Sequence, residues 1–482
     1  PILGAEMTLT DETHLTLLIE NARGYTNLCR LVTLARKGRE KGVSRLARAD
    51  LAAHAEGLIA LSGCRRGEIA QLLLAGQAER AMEVAQGYRR VFGPENFCIE
   101  LQYNFLQGDA RLAARLSALA LRAGLDVVAT SNAHYIQPAQ HEVHDVLTCT
   151  RLHTTLEDAG TLLRPNAEAI LRSPQEMAVL FARIPVALET SVQIAQRCVA
   201  AQDYLPNGPQ ILPRFPVPTG STPDGYLRLL CLQALAQRHP GQSPDDLLDW
   251  ELAIIKQLGL AEYFLIVWDI CRFARRRGIR CQGRGSAANS LVAYLLGITS
   301  IDPRTCGLVF ERFLSPERAS PPDIDIDFAA DRREEVIQYV YQRYGEQHAA
   351  MACTLVTYRT RSAVRDAARA LGFPPALVER LGGMLHDARD ADQIERSRNL
   401  VTSFDPELAG RLFQALLRIT PQMGGIPRHL GIHNGGMVLT GPPLCEAIPL
   451  EPATMPDRVV TQWDKDALDN AGLIKIDLLG LR

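Results

Sequence analysis

Hydrophobic and polar positions change period several times along the chain, and each change marks a predicted element. Short apolar runs at 57–62, 97–101 and 126–130 read as buried strands bounded by turn signals. Between them, helical spacing predicts helices over 25–36, 66–90 and 109–124. Strands separated by helices indicate βαβ units, so residues 1–202 read as an α/β unit. The stretch 205–223 holds six prolines and reads as a linker. Beyond it the pattern predicts helices near 224–238, 245–258 and 262–277, the last stopped by Gly278. Segments 308–314 and 323–328 read as extended, 332–344 as a helix, 354–430 as mostly helical, and 435–440 and 473–479 as strands. No apolar segment approaches the ~20 residues of a membrane span, and no basic-then-apolar leader opens the chain.

Composition adds bounds. The 482 residues are 47% hydrophobic and 22% charged, which is ordinary globular usage. That length suggests roughly three domains, since single cores stop growing near ~250–300 residues. The formal charge of −2 excludes a uniformly basic nucleic-acid binder. The charge is uneven, however: between positions 270 and 301 stand Arg272, Arg275, Arg276, Arg277, Arg280 and Arg284, with no acid among them. Phosphate-bearing partners become plausible there. Eleven cysteines, an odd number without a CxxC pair, fit a reduced, cytoplasmic setting. A chain opening at Pro1 and stopping at Arg482, straight after an apolar run, reads as a fragment.

The strongest chemical signal is Pro322-Asp323-Ile324-Asp325-Ile326-Asp327-Phe328. In a strand the three aspartates share one face, ~6.6 Å apart at successive same-face positions, while the isoleucines pack behind. Such carboxylates can converge on a pair of cations ~3.5–4 Å apart, the spacing used for in-line phosphoryl displacement. A calcium loop would require Gly where Phe328 stands, although Glu334 falls at its twelfth position. Upstream lies Gln282-Gly283-Arg284-Gly285-Ser286 before an apolar helix. Glycines let backbone N–H groups approach phosphate oxygens, a helix N-terminus adds a favourable dipole, and Arg284 offers a guanidinium fork. Downstream, Leu473-Ile474-Lys475-Ile476-Asp477-Leu478 puts Lys475 and Asp477 on one face of a strand. A salt-bridged sheet edge and a further metal-binding carboxylate are both open readings of that pair.

These segments, in this order, resemble the bacterial C-family DNA polymerases, comprising the polymerase III alpha subunit and its error-prone translesion paralogue. Glu262-Tyr-Phe-Leu-Ile-Val, Phe310-Glu-Arg-Phe-Leu-Ser-Pro-Glu-Arg318, His433-Asn-Gly-Gly436 and Gln462-Trp-Asp-Lys465 add to the resemblance, which spans essentially the whole chain. Cys281-Gln282, the run opening at Arg333, and Arg428-His-Leu-Gly look like the error-prone branch. The segment 475–482 looks like the replicative one.

The resemblance implies a multidomain α/β fold. Residues 1–202 would form an incomplete PHP-type (polymerase and histidinol phosphatase) α/β barrel lacking its first strands. A polymerase-beta-like nucleotidyltransferase palm would occupy 203–353 and 432–482, and a helical thumb 354–431. It implies Asp323, Asp325 and Asp477 as catalytic ligands of two Mg²⁺ ions. Arg284, Gly285, Ser286, Arg312 and Lys475 would line the path of a dNTP. Arg359, Arg361, Arg365 and Arg369 would contact primer-template DNA. Asn132 and Asn104 stand where metal-binding PHP domains carry ionisable ligands, so that domain is expected to be structural. Fingers, a clamp-binding region and an OB domain would follow beyond this chain, through which a sliding clamp and other replication or repair proteins would bind. A PHP-type metal phosphoesterase and a non-catalytic DNA-binding relic are the alternatives.

Overall fold

Two mixed sheets, each flanked by helices, organise the computed structural model, which describes residues 2–198, 212–241, 246–314, 324–385 and 391–481. The first sheet runs in the order β1-β2-β3-β4-β5, from Gly4–Thr8, His14–Ile19, Leu58–Leu61, Phe97–Gln102 and Val127–Thr130. β1, β2 and β3 are antiparallel neighbours, whereas β3, β4 and β5 are parallel. Leu15, Leu17 and Ile19 alternate inward along β2, while β3 is buried at every position. Parallel strands covered on both faces require the continuous apolar runs seen in β3 and β5. The helical pattern at 66–90 is two helices, Glu68–Leu74 and Ala78–Phe92, parted by a turn in which Gly76 takes a φ of +77°. That left-handed conformation favours glycine.

The second sheet has the order β10-β11-β8-β9-β12-β7-β6. Its strands are β6 (Cys281–Arg284), β7 (Asp325–Ala329), β8 (Ala349–Thr357), β9 (Pro427–Leu439), β10 (Leu450–Pro452), β11 (Val459–Asp464) and β12 (Lys475–Leu481). The interval expected to be mostly helical from 354 to 430 is therefore strand at both ends. Its helices are Thr360–Ala370, Pro375–Met384, Ala391–Phe404 and Arg411–Met423. They share an apolar core with Val143, Val146 and Cys149 of the earlier helix His141–Leu152. The segment 308–314 is not extended: Phe310–Arg312 is a single 3-10 turn, which buries Phe310 and Phe313 together. Of the proline-rich stretch, 205–211 lies outside the described residues, while Leu212 and Phe215 join the core of the second sheet.

Helix Ala261–Arg276 fills that core with Tyr263, Phe264, Leu265, Ile266 and Val267, all fully buried. Each such apolar side chain contributes about 1.5–3 kcal/mol relative to exposure. The Tyr263 hydroxyl accepts the Ile324 N–H at 3.1 Å and so anchors the entry to β7. The N-terminal sheet is joined to the second through helix Ala22–Arg36. Tyr25 donates to the Ala447 carbonyl at 2.6 Å, Arg36 pairs with Glu451 at 2.8 Å, and Thr33 accepts the Leu450 N–H at 3.0 Å. Among the described residues no helix is long and apolar enough to cross a membrane, and all eleven cysteines are free thiols.

Candidate active site

Four strands of the second sheet place one residue each in a single transverse row. Arg284 on β6 is opposite Asp325 on β7, Asp325 is opposite Asp477 on β12, and Asp477 is opposite Gly436 on β9. Directly opposed residues project from the same sheet face. The row therefore brings together carboxylates 152 positions apart in sequence, because β12 inserts between β7 and β9. Asp323 lies outside the described residues.

The charges in this row are partly compensated. The Arg284 guanidinium lies 3.7 Å from Asp325 and equally 3.7 Å from Asp327, which confirms that 325 and 327 share a face. Asp327 and Asp477 are nearly covered, whereas Asp325 is about one-third exposed. Lys475 is buried and donates to Asp477 Oδ2 at 2.5 Å. A buried lysine without such a partner would be costly, so the pair is mutually required. Asp477 Oδ1 is buried and accepts no hydrogen bond. An orphaned carboxylate oxygen beside a second carboxylate is a set of hard oxygen donors, which fits a divalent cation such as Mg²⁺.

His433 and Gly436 shape the far side. His433 Nδ1 accepts the Gly436 N–H at 2.7 Å and the Gly435 N–H at 3.3 Å, and it stands 3.7 Å from Asp477 Oδ1. A Cβ on Gly436 would come within 2.7 Å of Lys475 Cδ, 2.8 Å of His433 Nδ1 and 3.1 Å of Asp477 Oδ1. Only glycine leaves that wall intact.

The glycine-rich segment differs from the sequence expectation. Cys281–Arg284 is strand β6, and Gly285–Asn289 is a 3-10 turn that Gly285 opens at a φ of +63°. Its Cβ position would face Asp325 Oδ2 at 3.9 Å, so the turn sits directly over the carboxylates. The helix after it, Leu291–Leu295, does not offer its N-terminus to a ligand. Buried Glu251 accepts the Leu291 and Val292 N–H groups at 2.8 and 3.0 Å and the Ser290 hydroxyl at 2.9 Å. Arg312 is exposed on a turn packed against 285–289.

The four arginines of helix Thr360–Ala370 and its cap divide into two pairs. Arg365 and Arg369 both pair with Glu379, whereas Arg359 and Arg361 are exposed, with no ion pair among the described residues. Glu334, the twelfth position of a hypothetical calcium loop, pairs instead with Arg458, and Phe328 is fully buried. Three further supports have structural roles that the sequence reading did not assign: Glu251, His433 and Arg333. Arg333 fastens its helix to the sheet by donating to the Leu478 carbonyl at 2.6 Å and to the Asn434 carbonyl. The motif around 433 was visible as a motif, but its role depends on a pairing distant in sequence.

In the N-terminal unit, Glu6, His14 and Cys64 hold ligand atoms within 4.8 Å of one another, close enough to share one cation. The Asn104 amide, oriented to donate, faces the Ser131 and Tyr103 carbonyls at 3.1 and 3.2 Å, so it serves the backbone rather than a cation.

The carboxylate row lies within the part of the chain that matches a known family. Residues 225–480 match the family described as "Bacterial DNA polymerase III alpha NTPase domain", and residues 1–104 match the PHP domain. The chain belongs to the bacterial DNA polymerase III alpha family. Relatives named error-prone DNA polymerase include one from Symbiobacterium thermophilum, 41% identical over 506 residues covering 100% of this chain and 46% of that protein. Another, from Azoarcus sp. (strain BH72), is 42% identical over 483 residues, covering 100% of this chain and 44% of that protein. The chain thus spans less than half the length of these relatives.

Proposed function

We propose that this chain supplies the catalytic core of a DNA-directed DNA polymerase of the error-prone kind, adding dNTPs to a primer 3′-hydroxyl in repair synthesis. The observation that carries the reading is the direct opposition of Asp325 and Asp477 on neighbouring parallel strands beneath the Gly285 turn. In this reading Asp323, Asp325 and Asp477 are the Mg²⁺ ligands. Bound there, Mg²⁺ would polarise the primer hydroxyl and the reacting phosphoryl oxygens. Lys475 holds the Asp477 carboxylate in one orientation by donating to its Oδ2. Gly285 and Ser286 bring backbone N–H groups to the triphosphate, and Arg284, placed between Asp325 and Asp327, turns from those carboxylates to the phosphates as the nucleotide enters. Arg312 extends the cationic path.

The second sheet would act as the palm, over 203–353 and 432–482, with the helices of 354–431 as a thumb along duplex DNA. Residues 1–202 brace the palm, a role supported by the Tyr25, Thr33 and Arg36 contacts. The PHP unit is read as structural because Asn104 and Asn132 supply no ionised ligand. The sliding clamp and other repair proteins would bind through further segments of the polypeptide, in the cytoplasm.

Mn²⁺ titration followed by electron paramagnetic resonance tests the metal assignment. The chain should bind Mn²⁺ at least about tenfold more tightly than its Asp325→Asn and Asp477→Asn variants. Equal binding by all three, in folded protein, would remove the carboxylate row from the mechanism.

A further inference from the structure

Two cysteines meet behind strand β6. Cys271 lies on helix Ala261–Arg276 and is fully buried, while Cys281 opens β6 and is half-buried. Cys281 stands three positions before Arg284, so its side chain leaves the strand on the face opposite the carboxylate row. The turn joining the two cysteines is fixed. Gly278 takes a φ of +69°, its N–H donates to the Arg275 carbonyl at 2.9 Å, and the Ile279 N–H donates to the Ala274 carbonyl at 2.8 Å. That pair of bonds ends the helix and folds the chain back along it. Residue 281 thereby returns onto residue 271, with Cys281 Sγ 3.8 Å from the Cys271 carbonyl oxygen.

The surroundings make the two thiols unequal. Contact with Cys281, together with burial, pushes the Cys271 thiol well above its ordinary value. Contact with Cys271 and the Arg275 guanidinium hold the Cys281 thiol down at about 6, from an ordinary 9.0. Arg275 lies one turn along the helix from Cys271, on the same face. The thiolate is the form of cysteine that attacks peroxides. Oxidisable cysteines are partly exposed, stand beside a cation and have a second thiol next to them. Cys281 meets each of these conditions, with Arg275 as the cation and Cys271 as the second thiol. Both thiols are free in this structure.

We propose that Cys271 and Cys281 form an oxidisable dithiol that hydrogen peroxide closes to a disulfide, tying helix Ala261–Arg276 to strand β6. The Cys281 thiolate attacks one peroxide oxygen: the S–O bond forms, the O–O bond breaks, and the leaving hydroxide takes up the proton that Cys281 had released, as water. The Cys271 sulfur then attacks the sulfur of that sulfenic acid. The S–S bond forms, the S–O bond breaks, and the Cys271 proton leaves with the hydroxide as a second water. The two thiols are oxidised together and the peroxide is reduced. The bond would staple the edge strand that carries Arg284 to the helix behind it. The proposal does not depend on the polymerase reading.

Treatment of the folded polypeptide with hydrogen peroxide, followed by alkylation of the remaining thiols and tryptic peptide mass mapping, tests the proposal. Arg272, Arg275, Arg276, Arg277 and Arg280 stand between the two cysteines, so a disulfide would join two separate peptides and be read directly. The expected result is the Cys271–Cys281 cross-link, reversed by dithiothreitol. In Cys271→Ser, Cys281 should instead accumulate as the sulfenic acid, with dimedone labelling at least about fivefold above the parent. Cys306, exposed beside the Thr305 hydroxyl, reports general oxidation. The parent's cross-link is read without any substitution, so an unstable Cys271→Ser would not blunt the test. Cys281 paired with another cysteine, Cys271 still alkylated once Cys281 is oxidised, or Cys281 unoxidised at a dose that oxidises Cys306 would each overturn the assignment. Equal dimedone labelling of the parent and of folded Cys271→Ser would overturn the sulfenic acid route.

Discussion

Lys475 and Asp477, two residues apart on β12, form a buried ion pair at 2.5 Å whose second carboxylate oxygen is left without a hydrogen bond. The pair orients Asp477 and leaves its other carboxylate oxygen without a donor. Replacing Lys475 with Met removes the cation and leaves a buried acid beside Asp325 and Asp327. Breaking a buried pair on one side costs about 3–5 kcal/mol. Lys475→Met should therefore lower the urea midpoint by that equivalent and impair nucleotide addition. A variant as stable as the parent would show that the pair is dispensable.

Gly436 offers a test of the wall beside Asp477. Its Cβ would intrude on Lys475, His433 and Asp477 at once. Gly436→Ala is expected to cost about 1–3 kcal/mol through overpacking. Because the intrusion falls on the carboxylate itself, nucleotide addition should drop in protein that is still folded. Thermal unfolding and single-turnover extension measured on one preparation check both halves.

The arginines of helix Thr360–Ala370 and its cap should not be equivalent. Arg365 and Arg369 already pair with Glu379, whereas Arg359 and Arg361 are exposed. Arg359→Ala/Arg361→Ala should flatten the dependence of log K on log salt for primer-template DNA by about one unit for each phosphate left unneutralised. Arg365→Ala/Arg369→Ala should change it less. The reverse order would place the duplex elsewhere.

Acid sensitivity should arise in the N-terminal unit. Burial, with the Arg164 charge beside it, holds the His134 imidazole down at about 4, from an ordinary value of 6.5. A depressed histidine favours protonation of the unfolded chain first. The stability it contributes is thus present above pH 6.5 and is lost as pH falls toward 4. Urea midpoints between pH 7 and pH 4.5 should fall less in His134→Gln than in the parent. Equal slopes would assign the acid sensitivity to other groups.

Much of this was legible where the information is local. The period-two run at 323–328 correctly placed Asp325 and Asp327 on one face, and the same logic joined Lys475 to Asp477. Strands β3, β4 and β5 emerged from their apolar runs, and the helices near 224–238 and 262–277 from their spacing. What escaped was non-local or disguised. β6 was hidden because Gln282-Gly283-Arg284 carries turn-like composition, and it becomes a strand only by pairing with β7. β8 begins Ala349-Ala350-Met351-Ala352, residues of good helix propensity that tertiary pairing with β9 and β11 overrides. The phosphate-facing helix N-terminus was a reasonable inference from Ser290 onward, but Glu251, some 40 residues earlier, occupies it. The row from Arg284 to Gly436 depends on strand order, which no local pattern encodes.

In the proposed mechanism Asp325 and Asp477 together carry metal-dependent nucleotide addition. Mg²⁺-dependent single-nucleotide primer extension tests it most directly, using the natural polypeptide that contains this chain, with Asp325→Asn beside it. The prediction is templated addition by the parent and a loss exceeding about a hundredfold in the folded variant, more than a supporting ligand alone would cost. Addition by Asp325→Asn at the parental rate, or none by a parent that still binds primer-template, would contradict the account.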